Sequence, residues 1–92
     1  MKAKKSYVTF KINFDSGMPH NVKVHESREY AAQELESLIK EEIETEIADY
    51  GEVDAEWKED MLSQVNRVKQ GMTNIVSDTL KNEAYYLMVA EN

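Results

Sequence analysis

His20 and His25 are the only histidines in the chain, and a general base or a metal ligand would be sought there first. Five residues apart on one extended stretch, they are predicted to point to opposite faces of a strand, which prevents a shared metal ion. Neither stands in the H-x-x-x-H spacing that sets two imidazoles on one side of a helix. Ser6, Thr9, Ser16 and Ser27 lie near them in sequence. None occupies a strained G-x-S-x-G elbow, and Ser27 is better placed as a helix cap. Gly17, Gly51 and Gly71 are isolated, so no glycine-rich phosphate loop forms. The segment 49–56, DYGEVDAE, fails as a calcium loop, because Gly51 and Val53 fall where oxygen ligands belong. No Cys is present, which removes thiol nucleophiles, disulfides and Cys-held zinc. Paired carboxylates need a cleft that raises one pKa, and a domain this small rarely builds one. The expectation is a non-enzyme with no catalytic residue, no metal and no cofactor.

The acids offer a different chemistry. Net charge is −7, and it is segregated along the chain. Residues 1–25 carry five Lys against Asp15, residues 26–60 carry fourteen acids against Arg28, Lys40 and Lys58, and residues 61–92 balance. Like-charge neighbours at helical spacing, Glu42–Glu46, Glu41–Glu44 and Glu46–Asp49, each cost about 0.2–0.5 kcal/mol, whereas Glu36–Lys40 is compensated. Selection for stability alone would mix signs there. One reading is plain solubilising charge. The other is a docking face for a basic protein, built from Glu34, Glu41, Glu42, Glu44, Glu46, Asp49, Glu52 and Glu56, whose carboxylates stand in for a row of phosphates. The same net charge disfavours direct nucleic-acid binding.

The elements that position these residues follow from periodicity. Tyr7 to Phe14 alternate, with Val8, Phe10, Ile12 and Phe14 predicted to face inward and Tyr7, Thr9, Lys11 and Asn13 outward. The turn 15–19 leads to a second strand with Val22 and Val24 inward, completing a hairpin over 6–25. Ser27 caps a helix over 28–50 whose stripe is Ala31, Leu35, Leu38, Ile39, Ile43, Ile47 and Tyr50, and Gly51 ends it. Asp54 caps a second helix over 54–81 with Trp57, Met61, Val65, Val68, Met72, Ile75, Val76 and Thr79 on its stripe, bent at Gly71. Trp57 and the Met residues on that stripe read as core. Residues 84–90 fit a third strand, or an extension of the helix to the C-terminus.

The resulting fold class is α+β: β-β-α-α-β, a three-stranded antiparallel sheet with a two-helix hairpin on one face. The alternative is a β-hairpin with long helices running to the C-terminus. Ninety-two residues make one domain. Helices longer than the strands must overhang the sheet, and an overhanging apolar stripe predicts a homodimer. The outer sheet face, expected to show Tyr7, Thr9, Lys11, Asn21, Lys23 and His25, is a second place where subunits would meet. The longest apolar run, 84–90, falls far short of the roughly 20 residues that cross a bilayer. Lys11 and Asn13 break what would be the apolar stretch of a signal peptide, so a cytoplasmic location is expected.

In size, acidity, lack of Cys and absence of any catalytic motif, the chain resembles accessory proteins of phages and mobile elements, some of which inhibit nucleases by mimicking nucleic acid. The resemblance covers composition and no motif, so it assigns no residue a role. The expected function is occlusion of a basic partner surface without chemistry. The alternative is a structural or assembly protein acting through homo-oligomerisation.

Overall fold

The computed structural model describes residues 4–77, 79–80 and 82–91. Its elements run β1 (Lys5–Asn13), β2 (Pro19–His25), α1 (Arg28–Tyr50), α2 (Ala55–Lys69), β3 (Ile75–Val76) and β4 (Glu83–Glu91). The sheet has four antiparallel strands in the order β2-β1-β4-β3. The class is α+β as the periodicity predicts, with one strand more than expected. The segment 84–90 is a strand and does not extend the helix.

Helix boundaries follow local chemistry. Ser27 Oγ accepts from Tyr30 N–H, and Gly51, left-handed at φ 81°, returns its N–H to Ile47. Asp54 Oδ1 accepts from Trp57 N–H at the start of α2. The second helix is shorter than the predicted 54–81. Gly71 at φ 76° ends it: its N–H reaches Val68 O and Met72 N–H reaches Arg67 O, the paired bonds of a Schellman cap. Arg67 and Lys69 in the last turn suit the negative end of the helix dipole. Met72, Ile75 and Val76 therefore leave the stripe, and Ile75–Val76 pair with Tyr86 and Tyr85 as the fourth strand.

The two helices are antiparallel and cover one face of the sheet. Arg28 at the start of α1 donates to Val68 O and to Asn74 Oδ1 near the end of α2. Lys69 bonds Glu36 at 2.8 Å. The core joins Ala31, Leu35, Ile39 and Ile43 of α1, Met61, Val65 and Val68 of α2, and Val76, Tyr85 and Leu87 of the sheet. Gln64 fastens β3 in place, its amide exchanging bonds with the Ser77 backbone N–H and C=O.

The sheet presents the opposite face from the one predicted. Thr9 is buried, Tyr7 packs on the core, and Lys23 pairs with Glu34 of α1. Tyr7, Thr9, Lys11, Lys23 and His25 thus lie on the helix side, while Val8, Phe10, Ile12, Val22 and Val24 lie on the open side. The reason lies in the helices. Glu34 and Glu42 of α1 look toward the sheet, and their donors, Lys23 Nζ and Tyr85 O–H, stand only on this side. The reverse face would press these carboxylates against mostly apolar side chains, without Lys23 and Tyr85 to receive them, which is costly for buried charge.

A bulge in β2 changes the histidine geometry as well. Thr9 pairs with Lys23 and Lys11 with His20, so Asn21 and Val22 together oppose Phe10. Asn21 takes φ 55°, a left-handed conformation that Asn tolerates. The extra residue turns His20 and His25 to the same face, correcting the opposite-face expectation. They sit across from Lys11 and Tyr7, about 13 Å apart along the strand.

Candidate functional site

The eight predicted docking residues separate into three environments. Glu42, one of them, is buried, with only 2% of its surface exposed. Its two oxygens accept from Leu80 N–H at 2.6 Å and Tyr85 O–H at 2.9 Å. Glu42 is therefore a structural acceptor that ties α1 to β4 and the segment before it, and it is removed from the docking face. The sequence did carry a signal for this: position 42 is seven residues from Leu35, four from Leu38 and three from Ile39, inside the apolar stripe. Burial and the nearby Glu42 carboxylate hold the Tyr85 phenol well above its ordinary pKa.

Glu34 forms a second environment, half-buried and 2.7 Å from Lys23. Glu36, outside the predicted set, joins Lys69 and Lys40, and the Lys69 hydrogen bond holds its carboxyl below the ordinary value against a partial cost of burial. Both are internally neutralised.

The remaining six, Glu41, Glu44, Glu46, Asp49, Glu52 and Glu56, have no ion pair among the described residues. All are exposed except Glu46, which is half-buried. Glu41 directly precedes the anchored Glu42, and the other five occupy the last two turns of α1, the 51–54 connection and the start of α2. This end of the hairpin overhangs. Alpha1 begins one turn after β2 and reaches the start of β4 at Glu42, so its remaining residues run past the sheet. The molecule is 53 Å long, against about 30 Å for a nine-residue strand.

Overhang also exposes residues predicted to be core. Ile47 is 44% and Tyr50 73% exposed; with no sheet beneath them, the last members of the stripe meet solvent. The tip is therefore an apolar pair ringed by Glu44, Glu46, Asp49 and Glu52. Sequence reasoning missed Ile47 and Tyr50 as surface residues because periodicity reports a face and not what covers it.

Two further polar clusters lie on the helix side of the sheet. His20 Nε2 is 2.7 Å from Glu83 Oε2, and His25 Nε2 is 2.9 Å from Thr9 Oγ1. The hydroxyl beside His25 is that of Thr9, which is buried, and the partner of His20 is the carboxylate of Glu83, whose backbone C=O accepts from Thr79 Oγ1. Among the described residues, no group of three or more His, Asp and Glu is placed to hold a metal ion. No helix is long and apolar enough to cross a membrane. No protein-family model matches the chain, and no curated protein or solved structure is similar to it.

Proposed function

We propose that this protein is a small binding module that docks the acidic tip of its helical hairpin onto a basic protein surface, of the kind that otherwise holds nucleic acid, and blocks it by charge and bulk. The observation that carries this reading is the tip itself: Ile47 and Tyr50 stand exposed among carboxylates that have no ion pair among the described residues. Interfaces commonly place an aromatic anchor within a polar rim. Unpaired carboxylates add long-range attraction to a cationic partner and so speed encounter. The docking set is Glu41, Glu44, Glu46, Asp49, Glu52 and Glu56 with Ile47 and Tyr50; Glu34 and Glu42 are spent on internal contacts.

The test is a pull-down from host lysate in rising salt, run side by side on the wild type and on a Glu44→Lys, Glu46→Lys, Asp49→Lys variant. A basic protein held by the wild type, released as salt rises and absent from the variant supports docking by charge. Equal capture by both chains refutes it. A second reading, a structural or assembly protein acting through self-association, is favoured by a different observation, the uncharged outer face of the sheet.

A further inference from the structure

The open face of the sheet is made of Val8, Phe10 and Ile12 of β1, Val22 and Val24 of β2, and Tyr86 and Met88 of β4. Their facing follows from the pairings Val8↔Val24, Val8↔Met88 and Phe10↔Tyr86. Phe10 and Tyr86 stack at its centre, ring centroids 5.5 Å apart and nearly parallel. Beside them lies a shallow hollow of about 260 Å³ lined by Val8, Phe10, Ile12, Pro19, Val22 and Met88. No strand residue on this face is charged, in a chain where 32% of residues are. Val24 is 69% and Met88 51% exposed.

We infer that a second copy of this chain covers the face, sheet against sheet, giving a four-layered dimer with the helices outside. Three observations favour that occupant. The first is area. Three strands of seven to nine residues with β3 alongside span about 30 Å by 15–19 Å, so two copies bury roughly 900–1,100 Å², close to the ~1,000 Å² that a specific interface needs. The second is charge. Two chains of −7 each repel, and the open sheet face lets them meet without strand acids in contact. Sheets about 10 Å apart, with each helical layer a further ~10 Å out, hold the acidic layers roughly 30 Å from each other, several Debye lengths at physiological salt. The third is self-complementarity: an isologous contact sets Phe10 and Tyr86 near the two-fold axis and brings the protruding Val24 and Met88 within reach of the partner's hollow. Nucleic acid would find no cation among the described strand residues of this face, and an anionic bilayer would be repelled by the net charge.

This inference is independent of the helical tip and is tested without any partner. Sedimentation velocity of the full chain up to about 100 µM is compared with Val24→Lys and Met88→Lys, both at exposed positions, so far-UV circular dichroism should stay native. A particle of twice the 10.7 kDa chain mass is expected for the wild type. Each Lys raises the dimer dissociation constant by about 100-fold or more, because two copies bury an unpaired ammonium. A wild type that remains monomeric over this range overturns the inference, as does a dimer that survives both substitutions. Flotation of a monomeric wild type with anionic lipid vesicles would overturn it too, giving the face to lipid.

Discussion

Glu42 and Glu46 are one turn apart on the same helix and share a residue type, yet they live in different worlds. Glu42 lies over the sheet, where Tyr85 O–H and Leu80 N–H hold it. Glu46 lies where α1 has run past the sheet, and no cation reaches it among the described residues. The contrast extends to their neighbours, since Ile43 is core and Ile47 is exposed. A helix with a uniform pattern is thus divided by what stands beneath it into an anchored part and a projecting part. The anchored part spends its polar groups on the fold. The projecting part leaves its acids without an ion pair among the described residues.

The largest effect that would break this comparison is on stability. Glu42→Ala should cost about 2–5 kcal/mol, because it strands a buried hydroxyl and a backbone N–H. Glu46→Ala should stay within about 0.5 kcal/mol. Urea denaturation of the two variants measures both, and equal losses would mean that the anchored and projecting parts do not differ.

Next in size is a base-induced effect. Burial and the neighbouring Glu42 raise the Tyr85 pKa above its ordinary 10.0, so the folded state holds that proton more tightly than the unfolded one. The stabilisation is complete below pH 10 and is lost as pH rises above it. Phenolate absorbance and circular dichroism followed in one titration should show part of the tyrosine signal arriving only with loss of helix. Tyr85→Phe should remove that delayed part. Full ionisation of every tyrosine in a still-folded chain would contradict the Glu42–Tyr85 contact.

The smallest effect concerns Glu36, whose carboxyl Lys69 and Lys40 hold below the ordinary 4.5. Its contribution is present above that value and disappears as pH falls through the lowered one. Because the pair is partly solvent-screened, Lys69→Met should cost only a few tenths of a kcal/mol near neutral pH and nothing in strong acid. Thermal unfolding at the two pH values checks the sign. No pH dependence in that difference would remove Glu36 from the anchored part.

Much of the fold was legible because it is written in short stretches. The alternation over Tyr7–Phe14 marks β1, Ser27 and Asp54 mark helix starts, and Gly51 marks a helix end; each works through contacts within four residues. Gly71 was legible in principle, with Arg67 and Lys69 just before it, but the apolar period ran on through Met72 and Ile75 and masked the stop. The facing of the sheet was not legible. Both faces of β4 are apolar and β1 alternates cleanly, so hydrophobicity alone favoured the wrong side. The proposed docking face was half legible: the acids were visible, but not the burial of Glu42 or the exposure of Ile47 and Tyr50.

The sequence by itself determined the α+β class, the charge segregation, the hairpin and both helix starts, and left residues 84–90 open between a strand and a longer helix. Each depends on neighbours along the chain, whose energies are set before any long-range contact forms. Tertiary structure alone decided which side of the sheet the helices cover, where α2 gives way to β3, and which acids remain free. Those choices rest on partners distant in sequence: Glu42 meets Tyr85 across 43 residues and His20 meets Glu83 across 63. A carboxylate's surroundings, burial and bonding exist only once such segments are brought together, and no local pattern contains them.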